Sequence, residues 1–155
     1  MFEYNIRLAW KRKTEDFEYQ TYERTHAVFF YGGPKIEISS APEFLRNPRF
    51  HCPEELLVAS VASCFMMTFL SIAAKKGLVI DSYSDDATCI LTSINEDRQA
   101  ITDVILRPVI VFQKENKPDK ATLKQLFDTT REYCFIANSL STNLTVNPLC
   151  VDGAD

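Results

Sequence analysis

Apolar residues recur along this chain at two spacings, and each change of spacing marks an element. Residues 3–11 place apolar and polar side chains at near-alternate positions, which predicts a first strand. Residues 18–31, EYQTYERTHAVFFY, are rich in aromatic and β-branched side chains and end at Gly32-Gly33-Pro34. They predict a second strand closed by a turn, with KIEIS (35–39) returning as a third. Residues 40–52 carry Pro42 and Pro48 and read as a surface loop.

The pattern then changes. In PEELLVASVASCFMMTFLSIAAKKG (53–77), the nineteen residues between Glu55 and Lys75 carry no charge. The length fits a membrane span, since about 20 apolar residues cross a bilayer. However, Ser60, Ser63, Thr68 and Ser71 interrupt the stretch, and alanines dilute it. An uncharged helix is equally one that is covered on all sides. The surrounding strands and amphipathic segments need such a core, so the reading is a core helix and no membrane. Pro53 in the first turn, with Glu54 and Glu55 behind it, makes a helix start, and Gly77 a stop.

Residues 79–94 and 100–113 read as two long strands joined around NEDRQ, with Pro108 placing the second at an edge or bulge. A second helix follows KPDK, with Leu123, Leu126, Phe127, Thr130 and Cys134 on one face. ANSLS breaks it, and NLTV (143–146) forms a short final strand. No repeat or linker intervenes. The order βββ-α-ββ-α-β implies a single α+β domain over residues 1–155, its antiparallel sheets wrapped around one long buried helix.

Composition narrows the function. A chain of 155 residues that is 46% hydrophobic and 25% charged is globular and can bury one sizeable core. Its 17 basic and 21 acidic residues leave a net charge of −4 with no basic block. Nucleic acid and anionic membrane are thereby excluded as main partners. The start, MFEYNIRLAWKRK, has Glu3 early and its basic residues after the apolar ones, unlike a secretory signal, so the expected location is the cytoplasm. Five cysteines, an odd number, argue against a disulfide framework. His51 and Cys52 are adjacent and His26 lies upstream, but no C-x-x-C or H-x-x-x-H spacing occurs. No metal and no cofactor are expected.

Two thiols stand out by position: Cys64 midway along the uncharged helix, and Cys134 at the end of the second helix's apolar face. Taken alone, a buried free cysteine packs as a small hydrophobe. The surroundings say more. PEELLVASVASCFMMTFL, followed about seventy residues later by REYCFIANSLSTNLTV, resembles the osmotically inducible protein C and organic hydroperoxide resistance family. Those are small α+β thiol peroxidases of the antioxidant stress response. YERTHAVFFYGG and SSAPEFLRNP look like its OsmC-like subgroup.

The resemblance implies that Cys64 attacks the peroxide, Cys134 resolves, Glu54 is the active-site glutamate and Arg24 the active-site arginine. The chemistry suits these residue types. A thiolate is the nucleophile, and a free thiol of pKa about 8.5 is mostly protonated at neutral pH. A guanidinium favours the thiolate and polarises the peroxide, and a carboxylate can hold that guanidinium bidentately. Organic hydroperoxides are the implied substrates, with hydrogen peroxide as a smaller one. The implied reductant is a dithiol, such as a dihydrolipoyl group. Cys52 stands where relatives carry asparagine and adds a thiol near the site, while Cys89 and Cys150 read as structural.

The family also implies an intertwined homodimer, and one short chain has little material to cover a helix apolar on every side. Along a straight helix, Glu54 and Cys64 are about 15 Å apart and about 80° apart in azimuth. Either the helix breaks, or Glu54 serves the partner's thiol; the shared site is the expectation. The rival reading is a non-catalytic family member holding a small apolar ligand at the dimer interface.

Overall fold

The structure, a computed structural model, describes residues 1–45 and 47–153. The chain divides into two compact units, Met1–Leu56 and Leu57–Asp155.

The first unit holds a three-stranded antiparallel sheet in the order β1-β2-β3: β1 (Ile6–Ala9), β2 (His26–Phe30) and β3 (Ile36–Ile38). In its register Leu8 faces Val28, which in turn faces Ile36. The second strand is much shorter than residues 18–31 predict. Glu18 O accepts the backbone N–H groups of Thr21 and Tyr22, making a turn. The carbonyls of Tyr19 and Tyr22 accept from the Arg24 guanidinium. Carbonyls engaged this way are not available to a β ladder. The loop after β3 contains one 3-10 turn, Pro42–Phe44, and Leu45 follows it in the left-handed region at φ 62°. Residue 46 of that loop lies outside the described residues.

Helix α1 runs unbroken from Pro53 to Lys75. Its start is fixed by Glu55, whose carboxylate reaches back to the Cys52 N–H at 3.1 Å, satisfying a donor the helix cannot. Gly77 ends it at φ 72°, with Leu78 N–H to Ala73 O and Gly77 N–H to Ala74 O, both 3.0 Å. That pair is the Schellman closure, which needs a residue tolerant of positive φ.

In the second unit the two long predicted strands form one bent hairpin. Each breaks at the same level, so four strands result: β4 (Ile80–Asp85), β5 (Thr88–Asn95), β6 (Arg98–Leu106) and β7 (Pro108–Phe112). β5 pairs with β6 and β4 with β7, both antiparallel, but in separate sheets. Arg107 pins the corner: its N–H donates to Asp85 Oδ1 at 2.7 Å, and its guanidinium to Asp86 O and Thr88 Oγ1. Pro108 therefore begins a strand, a position that asks for no N–H.

Helix α2 (Lys120–Tyr133) follows, capped by Asp119, whose carboxylate accepts from Thr122 N–H at 2.8 Å. A four-residue helix α3 (Phe135–Asn138) comes next. The chain then adds β8 (Asn143–Val146) beside β6 and β9 (Leu149–Asp152) beside β7. Both pairings are parallel, so the sheets are mixed rather than antiparallel throughout. β9 is an addition to the predicted order.

The α+β class holds. The long helix, though, buries one stripe: Val61, Phe65, Phe69 and Ala73, four residues apart each time. Val61 and Phe65 pack with Val104, Leu106, Cys134 and Leu144. Phe69 and Ala73 pack with Ile110, Phe112 and Leu126. Thus each sheet covers half of the stripe, and Phe127 touches both clusters. The opposite face is open, with Met67 58% exposed. Cover on all sides, as the uncharged sequence predicts, is not supplied by this chain alone.

Candidate thiol site

In the second unit the fold brings Cys64 and Cys134 together. Cys64 sits one residue before Phe65 on α1, at the edge of the buried stripe, and is half-buried. Cys134 lies at the junction of α2 and α3 with extended φ −75° and ψ 106°, and it is fully buried. It continues the spacing of Leu126 and Thr130, but it joins the cluster of Val61 and Phe65, whereas Leu126 lies in that of Phe69 and Ala73. The sequence places it on α2; the structure places it one residue beyond, as the cap of α3.

Burial pushes the Cys134 thiol up to about 11. The Cys64 sulfur adds to the rise by hydrogen bonding and by its charge, while the N–H groups of Ala137 and Ile136 pull the other way. Desolvation wins over two backbone donors because a thiolate in an apolar cluster loses its hydration. The two thiols therefore differ: one partly open, the other buried and held protonated. This arrangement suits attack by Cys64 and a later, slower role for Cys134.

The remaining candidates lie in the first unit. Arg24 is half-buried, its Cζ 4.0 Å from the Tyr22 ring centroid and 5.1 Å from that of Tyr19. Its guanidinium donates to Tyr22 O at 3.0 Å and to Tyr19 O. Orientation of the arginine thus comes from carbonyls and aromatic faces, where the sequence led us to expect a carboxylate. Glu54, in the first turn of α1, accepts a hydrogen bond from the Cys52 thiol. Burial is the largest reason that thiol is raised; the Glu55 backbone N–H opposes it, and the Glu54 carboxylate adds to it. Cys52 is 4% exposed.

Within α1 the helix is continuous through Glu54 and Cys64, so these two side chains of one chain cannot meet across about 15 Å of axis. Cys89 and Cys150 pack against the two clusters, as structural thiols would.

Sequence reasoning missed one feature: a cavity of about 400 Å³ in the first unit, walled by Trp10, Phe17, Tyr19, Tyr22 and Phe44 and reached by Arg24. Its signal was the aromatic residues spread through WKRKTEDFEYQTY (10–22), whose last part, 18–22, reads as the start of the second strand.

Fold and thiol pair together define a member of a known family: a profile described as OsmC-like protein matches residues 48–148, and the chain belongs to that family. The chain is 38% identical to an OsmC-like protein of unknown function from Vibrio cholerae, over 96% of this chain and 100% of that one, with a TM-score of 0.89. An organic hydroperoxide resistance protein OsmC from Legionella pneumophila is 16% identical over 99% and 100% of the two chains, with a TM-score of 0.64. The organic hydroperoxide resistance protein OhrB of Bacillus subtilis is 14% identical over 96% and 98%, with a TM-score of 0.63. The last two likenesses establish the fold alone. No curated protein sequence matches the chain.

Proposed function

We propose that this chain is a cytoplasmic thiol-dependent peroxidase that reduces organic hydroperoxides, working as a homodimer of single OsmC-like domains. The observation that carries the reading is the pairing of Cys64, partly open, with Cys134, buried and raised to about 11. In the first step the Cys64 thiolate attacks the distal peroxide oxygen; the O–O bond breaks, the alcohol leaves and Cys64 becomes a sulfenic acid. In the second, Cys134 attacks that sulfur, a disulfide forms and water leaves. An external dithiol, of the lipoyl type, reduces the pair.

Arg24 supplies the fixed positive charge that favours the thiolate. The unbroken α1 supports a shared site in which Glu54 of one chain serves Cys64 of the other. The open face of α1 supports the dimer, since an apolar helix face of this length is stable only when covered. The test is hydroperoxide consumption with several dithiols. Turnover that depends on a dithiol is expected, and its complete absence with every peroxide and dithiol would sink the proposal.

A further inference from the structure

The cavity in the first unit has a chemistry of its own. Trp10 and Phe17 lie 5.7 Å apart and Phe17 and Tyr22 5.3 Å, all tilted, so three rings form one wall. The Trp10 indole N–H is anchored on Glu23 O at 2.7 Å, which holds that wall in place. Aromatic walls of this kind accept a flat ring by offset or edge-on contact.

Of the polar side chains lining the cavity, Ser40 has already donated its hydroxyl to Phe44 O at 2.7 Å, and the donors left over are on Arg24 and Ser39. A guanidinium has five N–H groups, and the carbonyls of Tyr19 and Tyr22 engage two of them. Ser39 is 1% exposed; its Oγ accepts from Asn47 N–H at 3.2 Å, so its own proton remains to be donated. His26 Nδ1 is 3.0 Å from Arg24 O, and a carbonyl only accepts, so the Nδ1 proton is spent there and His26 adds no donor to the cavity. The neighbouring carboxylate of Glu23 is engaged by Thr25 N–H and Oγ. Donors around an apolar space call for an anion, and a planar fork of N–H groups matches a carboxylate bidentately.

We propose that this cavity binds a planar aromatic carboxylate, its ring against the Trp10–Phe17–Tyr22 wall and its carboxylate on Arg24 and Ser39. The site lies wholly within the first unit and does not depend on the peroxidase reading. If Arg24 also polarises peroxide, the same acid competes with the hydroperoxide.

The chain has a single tryptophan, so the indole cross-peak in a 1H–15N spectrum reports on this cavity alone. The full-length protein is titrated with 2-naphthoate, 2-naphthamide and cyclohexanecarboxylate, by calorimetry and by that cross-peak. Expected is saturable binding of 2-naphthoate with Kd below about 1 mM, with the Trp10 peak moving on the same isotherm. The uncharged amide and the non-planar acid should each bind at least about tenfold more weakly. Arg24→Gln should weaken 2-naphthoate about tenfold or more, and Phe44→Ala several-fold. The ligand comparison on the native chain decides the matter even if a variant fails to fold. Absence of binding, an amide equal to the acid, or calorimetric binding that leaves the Trp10 peak unmoved would each overturn the proposal. Turnover assays play no part, so failure here leaves the peroxidase reading standing, and the reverse.

Discussion

The two units handle polar chemistry in opposite ways. The second packs two thiols against an apolar cluster, Cys134 buried in it and raised by desolvation, Cys64 partly open at its edge. The first keeps a permanent cation at the wall of an aromatic cavity, held by carbonyls and ring faces. Burial can adjust a thiol but cannot discharge an arginine, so each group sits where its charge is tolerated.

The largest effect expected separates the two thiols within the second unit. Cys64→Ser should lower hydroperoxide consumption at least about a thousandfold, because a hydroxyl is a far poorer nucleophile than a thiolate. Cys134→Ser should complete one turnover and stop, with one added oxygen on Cys64 by mass spectrometry. Equal, mild effects of the two changes would break the distinction.

Next is pH. If Cys134 is the resolving thiol as proposed, the step needs its thiolate, and burial has raised that thiol to about 11. Below that value the thiolate fraction grows about tenfold per pH unit. Disulfide formation after one equivalent of peroxide should therefore accelerate about a hundredfold from pH 7 to pH 9, followed by quenched-flow thiol counting. A rate that is flat with pH would show that Cys134 is not the resolving group.

A smaller effect concerns the proposed dimer. Glu54→Ala and Cys64→Ser chains, unfolded and refolded together, should recover about a quarter of wild-type activity, since half the dimers are mixed and each mixed dimer has one intact site. Recovery of nothing would place Glu54 and Cys64 of the same chain in one site.

The smallest concerns the frame. Gly77→Ala forces a side chain into positive φ and should cost about 1 kcal/mol in urea unfolding. Peroxidase activity per folded molecule should stay unchanged, which separates stability of the second unit from its chemistry.

Much of the second unit was legible in the sequence. The charge-free run, its Pro53 start and its Gly77 stop define α1 to the residue, because those signals are local. The spacing put Cys134 at the end of the apolar face of α2, but the α2–α3 junction was hidden because that face continues through it. Strand partners were not legible. β8 and β9 pair in parallel with strands far back in the chain, and nothing local encodes such a choice. In the first unit composition misled: Tyr19 and Tyr22 favour strands, but a guanidinium two and five residues away captured their carbonyls.

The late arrival of β8 and β9 has a consequence for synthesis. Leu144 on β8 and Cys150 on β9 complete the two covers of the α1 stripe, yet α1 leaves the ribosome long before either. At about 5–20 residues per second, the nascent helix spends several seconds with its apolar side chains uncovered. Each sheet is then only two strands wide, a state with marginal stability of its own.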